Sequence, residues 1–330
     1  MALSDLAVFN EYTQAALTQI VAQQLTLFNE ASGGAFVLRA ANHSGDYSEQ
    51  AYWRRLNGLV RRRNAYGTGA VSEINLAMVT DTMVKIAAGT PPVRMDPGQF
   101  EWINTNPELA GVQIAQQLGP DMVRDMFNVA VTAFIASHAQ VAGLIVDDTA
   151  VGAGYLTQLS FNRGQAKYGD RMRDIVAWLV HSSSLFQLYA GQIANAEQLY
   201  TFGTLGVQRD FTGRLIIVSD VPSLVIPAVG GGSPTPEMRY TVGLKPGAVV
   251  VDQNDDYTAN TETKNGQENI VRTFQSEWSY NLGVHGFSWD KTNGGKSPND
   301  AAIAVATNWD RVTGYNDRDL GGVLIKTLAA

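Results

Sequence analysis

The chain contains no cysteine. Disulfides, thiolate metal sites and cysteine nucleophiles are therefore all excluded. Histidine is scarce too. The four, His43, His138, His181 and His285, lie far apart, and none forms an H-E-x-x-H or other close metal-binding pair. No run of roughly 18 apolar residues exists, so no membrane span is expected. The first nine residues lack a basic start followed by a long apolar stretch, so no secretory leader is expected and the protein reads as soluble, made in a reducing cytoplasm. No glycine–lysine phosphate loop and no G-x-S-x-G elbow occur, and Gly67-Thr68-Gly69 supplies only part of a dinucleotide fingerprint, with Ser72 at the third glycine position. Catalytic residues, cofactor-binding residues, metal ligands and cofactors are accordingly expected to be none.

Charge is also thin. Charged residues make up 17% of the chain, against about 25% in typical soluble proteins. A polar but weakly charged surface suits burial against neighbouring subunits, because charges are depleted from interface cores. An ordinary low-charge soluble protein would show the same composition. The net charge is −7, from 24 basic and 31 acidic side chains. That argues against a protein whose task is gripping nucleic acid, which depends on basic side chains displacing counterions. It leaves open a protein that encloses nucleic acid without gripping it.

What is present is 330 residues, 45% of them hydrophobic, enough for one large or two modest domains. The first thirty residues predict a helix. Apolar positions from Leu3 to Phe28 recur near helical spacing, Ser4 with Asp5 is placed to cap it, and Gly33-Gly34 is placed to stop it. A short strand over 35–39 follows, then a polar and aromatic stretch from Asn42 to Gly69, then an apolar, β-branched run from Val71 to Ala87. That order predicts a long hairpin-like arm between about 35 and 88. Loops of this length within compact domains are uncommon and usually functional. An arm with no core in its own subunit is expected to find one elsewhere.

Pro91-Pro92 and Pro97-Gly98 mark a connector. Asn106 as cap, Pro107 at the first position and Glu108 at the positive end then predict a long helix running to about Val141. Gly119-Pro120 predicts a kink or restart within it. From Leu144 to Asp252 the pattern is mixed. Helices are expected near 165–179 and 184–193, with a hairpin over 207–219 around Phe211-Thr212-Gly213. A stronger hairpin is expected over 240–251, turned by Lys245-Pro246-Gly247. Gly230 to Pro234 reads as a surface loop. From Ile270 a strand of nearly twenty residues is expected, with Phe274, Trp278, Tyr280, Leu282 and Val284 on one face. Phe287 and Trp289 switch parity after Gly283 to Gly286, which predicts a bulge. Gly322 to Leu328 reads as a last strand.

Three clusters invite a chemical reading. Asp252, Asn254 and Asp256 match the first oxygen-ligand positions of a calcium loop, but Tyr257 stands where glycine is needed and Thr263 where the bidentate glutamate belongs. A solvated hairpin end is the better reading. Ser182 to Ser184 follow His181, which suits helix capping rather than a nucleophile and its base. His138, on the long helix, reads as a surface or packing histidine. The one concentration of positive charge is Arg61-Arg62-Arg63, preceded by Trp53-Arg54-Arg55. It reads as a set of partners for carboxylates on another subunit, as a solvated face, or as a nucleic-acid contact. Trp53, Arg54, Arg55, Arg61, Arg62 and Arg63 are the candidate assembly residues.

The order of helical arm, long extended loop, spine helix, mixed block and long-stranded return resembles the major capsid proteins of tailed bacteriophages, the HK97-like fold. The stretches MALSDLAVFNEY, LVRRRNAYGTG (59–69), TPPVRMDPGQF (90–100) and ETKNGQENIVRTFQSEWSYNLGVHGFSWDKTNGGKSPNDAA (262–302) are similar to those of Chi-like flagellotropic siphophages. The resemblance runs essentially end to end, and the last stretch is the most specific. It implies an α+β fold with an N-terminal arm over 1–32 and an E-loop over 33–88 that reaches a neighbouring subunit. It further implies a P-domain over 89–146 and 253–330, and an A-domain over 147–252. It implies a subunit of an icosahedral virion capsid, a structural protein and not an enzyme, that forms pentamers and hexamers around double-stranded DNA. Scaffolding and portal proteins, and in some cases a decoration protein, are the implied partners, with no membrane involved and assembly in the host bacterial cytoplasm. Some relatives form Lys–Asn crosslinks, but no motif places that chemistry here. The alternatives are an encapsulin-like compartment with an enzyme cargo, a tail or decoration protein, or a cytoplasmic enzyme with an unrecognised site.

Overall fold

A computed structural model of the chain describes residues 3–53, 60–76, 78–152, 154–190, 198–202, 205–209, 213–228, 235–266 and 270–329. The helices are α1 (Leu3–Ala31), α2 (Pro97–Thr105), α3 (Pro107–Ala139), α4 (Gln158–Tyr168), α5 (Ser182–Ala190) and α6 (Asp300–Ile303). The strands are β1 (Phe36–Ala40), β2 (Tyr47–Trp53), β3 (Met78–Gly89), β4 (Val93–Met95), β5 (Ile145–Asp147), β6 (Ala177–Val180), β7 (Gln198–Phe202), β8 (Leu205–Arg209), β9 (Leu215–Val218), β10 (Val225–Ile226), β11 (Met238–Leu244), β12 (Val249–Gln253), β13 (Thr258–Lys264), β14 (Val271–Val284), β15 (Phe287–Trp289), β16 (Trp309–Arg311) and β17 (Gly322–Leu328).

They form two sheets. The first follows the order β1-β12-β14-β15-β16, with β3, β4 and β13 also on β14 and β2 on β3. The second follows β5-β17-β11-β6-β9-β8-β7, with β10 on β11. Helix α3 joins them. Phe127 packs edge-on to Phe28 of α1 and Phe36 of β1, with both pairs of ring centroids 5.2 Å apart. One turn before the end of α3, Phe134 reaches Gly321 and Gly322 at the start of β17. Each such fully buried aromatic side chain contributes about 2–3 kcal/mol of transfer free energy.

Helix α1 buries Phe9, Thr13, Leu17, Val21, Leu25 and Phe28, positions four or three apart that form one stripe against α3. Gly111 of α3 lets the two backbones meet: a Cβ there would lie 3.0 Å from the Thr13 nitrogen and 3.1 Å from the Phe9 carbonyl oxygen. The helix stops where expected, with Gly33 and Gly34 at positive φ. Its first described residue is Leu3, so Ser4 and Asp5 lie inside it and do not precede it as a cap.

Several expectations are corrected. Helix α3 runs unbroken through Pro120. The carbonyl that Pro120 leaves without a donor belongs to Gln116, which is exposed and open to solvent. Asn106 precedes α3 but its side chain does not cap it. The helix expected near 165–179 lies earlier, at 158–168, and is closed by Gly169 at positive φ. The apolar run after it is β6, buried on both faces between β11 and β9. A short run buried on every side has no periodicity to separate helix from strand. The expected hairpin over 240–251 has the right strands and turn but the wrong pairing. Gly247, at φ 65°, closes the turn from Lys245, yet β11 pairs with β17 and β6 while β12 pairs with β1 and β14. The turn carries the chain from one sheet to the other. The expected bulge after Gly283 is instead a two-residue turn, His285-Gly286, with Val284 opposite Phe287. Strand β17 spans the expected residues, and β8 and β9 form the hairpin expected over 207–219. The loop expected from Gly230 to Pro234 lies outside the described residues.

Candidate assembly surface

Strand β3 has two parts. Its second half, Val84–Gly89, pairs with Leu282–Glu277 of β14 inside the first sheet. Its first half, Met78–Val84, pairs with β2. One continuous strand thus leads from the sheet into a two-stranded hairpin, the arm. The arm's base is narrower than the sequence pattern suggests: β1 pairs in parallel with β12 and belongs to the sheet. The strand expected from Val71 begins only at Met78.

Beyond β2 and β3, residues 60–76 form neither helix nor strand, and every one of them is exposed. Tyr66 is 96% exposed and Val60 92%. Val71, Ile74, Leu76 and Met78 are also open to solvent. Isolated exposed apolar residues are ordinary; these six fall within one stretch, 60–78, among polar and charged neighbours. Arg61, Arg62 and Arg63 sit on this stretch, exposed. Trp53 ends β2 with its Cα opposite that of Met78. Arg54 and Arg55 lie outside the described residues. Of the six candidate assembly residues, the structure therefore places four on the arm.

The base of the arm is tied to the loop that follows β15. Lys291 pairs with Glu49 of β2, and its Nζ lies 5.3 Å from the centroid of the Tyr47 ring. Lys296 pairs with Asp46 at 2.8 Å and holds its carboxyl below the usual carboxylate range. The Thr82 N–H donates to Ser288 Oγ at 3.1 Å. The loop itself is set by Asp290, which accepts the Thr292 N–H at 2.7 Å. On β3, burial pushes the Asp81 carboxyl up to about 6. Sequence reasoning missed these ties, because each joins residues some two hundred or more positions apart with no local signal.

The other clusters are structural. Asp252 takes two hydrogen bonds from the Arg39 guanidinium, at 2.5 and 3.1 Å. Asn254 Oδ1 accepts from the His43 N–H at 3.0 Å and from Asn281 Nδ2 at 3.1 Å. Asp256 accepts from the Ser279 N–H at 2.8 Å and pairs with Lys85 at 3.2 Å. The calcium-like oxygens are thus spent on protein donors, and Asp252 and Asn254 are buried, which corrects the reading as a solvated hairpin end. His181 Nδ1 accepts the Ser183 N–H at 3.2 Å and lies 3.0 Å from Ser183 Oγ. Asp220 accepts the Ser182 N–H at 3.0 Å. These are caps for the start of α5. His138 is fully buried and stacked on Phe134 with centroids 3.8 Å apart, and burial lowers its pKa to about 3. Among the described residues no group of three or more histidine, aspartate or glutamate side chains is placed to hold a metal ion. Among them, too, no helix is long and apolar enough to cross a membrane.

The fold matches solved phage capsids. The capsid of Ralstonia phage GP4 superimposes with a TM-score of 0.50 and 12% identity, over 91% of this chain and 88% of that one. The cyanophage Pam1 capsid asymmetric unit does so with a TM-score of 0.53 and 11% identity, over 87% of this chain and 86% of that one. At such identities the likeness speaks for the fold, which is the HK97-like capsid fold. No curated protein sequence matches the chain. The family model described as major capsid protein 13-like matches residues 5–324. With an exposed arm, a spine helix joining two sheets and a match of nearly its full length, the chain belongs to the major capsid protein 13-like family, the structural subunits of phage capsid shells.

Proposed function

We propose that the chain builds its shell as pentamers and hexamers, closing icosahedrally around packaged double-stranded DNA in the host bacterial cytoplasm. Its arm, about 47–89, is the E-loop that lies on a neighbouring subunit. Helices α2 and α3 with the first sheet act as the P-domain, and the second sheet with α4 and α5 acts as the A-domain around the capsomer axes. Scaffolding and portal proteins are its partners during assembly. The observation that carries this reading is the stretch 60–76, exposed throughout and joined to the sheet by a continuous strand. Such a stretch gains apolar burial only from another body, and repeated symmetric contacts add up to a stable shell. Arg61, Arg62 and Arg63 are placed there to pair with carboxylates across the contact. The net charge of −7 suits a wall that encloses DNA without holding it tightly.

The test is electron microscopy and sedimentation of the expressed protein, alone and with its scaffolding partner, beside a variant in which residues 60–76 are replaced by a short Gly-Ser linker. Shells or capsomers from the natural chain, and a folded but unassembled subunit from the variant, are expected. Intact particles from the variant overturn the E-loop assignment.

A further inference from the structure

We propose that the groove between α2, α3 and β4 seats the arm of a second copy of this chain, filled by the apolar face of its residues 74–78. This rests on the reading of the arm given above and adds its receiving site. The groove has a volume of about 670 Å³, and Val93, Met95, Ile103, Ile114, Leu118 and Phe274 make it largely apolar. Among the described residues, β4 pairs on one side only, with β14, so its other edge offers unpaired backbone groups to an incoming extended segment. The arm carries a matching surface. Ile74, Leu76 and Met78 are 54%, 58% and 59% exposed, and a spacing of two puts them on one face of an extended chain.

Charge agrees. Residues 96–121, which cover α2 and the part of α3 that lines the groove, hold Asp96, Glu101, Glu108 and Asp121 and no lysine or arginine. Residues 60–76 hold Arg61, Arg62 and Arg63 against Glu73 alone. Arg94 on the groove wall, and Arg124 paired with Asp121 at 3.4 Å, offset part of the acidic field but do not reverse it.

Register decides which copy supplies the arm. The groove borders the start of β14, where Val93 faces Phe274. The arm leaves near its end, where Val84 faces Leu282. At ~3.3 Å per residue those points are about 25 Å apart, and Met78 lies about 20 Å further out along β3. The Ile74–Met78 segment cannot return to its own groove. A donor and an acceptor at opposite ends of one strand let the contact repeat head to tail from copy to copy, the arrangement that closes into rings.

The absence of cysteine makes the test clean. Leu76→Cys with Gln117→Cys places one thiol on the arm and one on the groove, and Leu76→Cys with Phe186→Cys is the control on α5. Oxidising assembled shells is expected to shift most of the groove-pair monomer band into a ladder of covalent multimers, while the control stays monomeric. Shells that form without that ladder, or with an equal ladder in the control, overturn the groove assignment. A reconstruction of unsubstituted shells gives an independent readout. Density for 74–78 in a neighbour's groove supports the proposal. Arms resting elsewhere on a neighbour, or another protein in the groove, overturn it and leave the arm reading standing. Arms that touch no neighbour overturn both.

Discussion

Replacing Gly111 by alanine separates two physical effects of opposite sign. Alanine is the better helix former, by about 1 kcal/mol in a helix interior. Gly111 lies inside α3, so propensity alone predicts a more stable protein. The structure predicts the reverse. The added Cβ would stand 2.9 Å from Thr13 Oγ1, 3.0 Å from the Thr13 nitrogen and 3.1 Å from the Phe9 carbonyl oxygen. Two of these are backbone atoms, and the third is fixed by the Thr13 hydroxyl donating to Phe9 at 2.7 Å. No rotamer change relieves the contact, so α1 has to move away from α3. Overpacking of this kind costs about 1–3 kcal/mol, which leaves a net loss of up to about 2 kcal/mol after the propensity gain. For a chain of 330 residues the unfolding entropy is about 0.7 kcal/mol/K, so Tm falls by up to about 3 °C. Scanning calorimetry of the unassembled subunit measures this. Gly98→Ala is the control, since Gly98 is exposed on α2 and a Cβ there meets nothing within 4 Å; its Tm is expected to hold or rise. A Gly111→Ala subunit melting above the natural chain, as propensity alone predicts, refutes the close-contact argument.

Three further outcomes are expected. His138 has a folded pKa near 3 against an ordinary value of 6.5, so its contribution to stability is complete above pH 6.5 and is lost as pH falls toward 3, by up to about 1.4 kcal/mol per pH unit. Urea unfolding at pH 7 and pH 5 is expected to show that loss and His138→Gln to flatten it; equal slopes would count against the assignment. Replacing Lys291 and Lys296 together by alanine is expected to speed amide exchange in β2 while global stability changes by no more than about 1 kcal/mol per pair, because exposed ion pairs are individually weak. Unchanged exchange would show that β3 alone holds the arm. Charge reversal of Arg61, Arg62 and Arg63 to glutamate is expected to leave the subunit folded, since all three are exposed, and to block shell formation in a sedimentation assay; normal shells would assign them to a solvated face.

Much of the secondary structure is legible in the sequence because burial on one side leaves a periodic trace. The stripe from Phe9 to Phe28 predicts α1, and the alternation from Phe274 to Val284 predicts most of β14. Strand β6 escapes such a reading because Ala177–Val180 are all buried and alternate with nothing. Pro120 looks like a break because local chemistry cannot show that α3 is held against α1 and runs on through it. Lys245-Pro246-Gly247 announces a reversal of the chain, but a turn does not state which strands then pair. Of the candidate site, the arginines and the long polar excursion stand out locally, whereas Lys291 and Lys296 reach the arm only through the fold.

By itself the sequence determined the absence of thiol chemistry, the long α1 and α3 helices, the strands β14 and β17, and an arm too polar and too long to build a core of its own. These follow from composition and from short-range periodicity, which act before any tertiary contact. Only the tertiary structure decided that β11 and β12 part into different sheets, that lysines of a distant loop tie down the arm, and that arm and groove stand at opposite ends of β14. Those features depend on pairings between residues far apart in the chain, and such pairings are settled by which surfaces bury together.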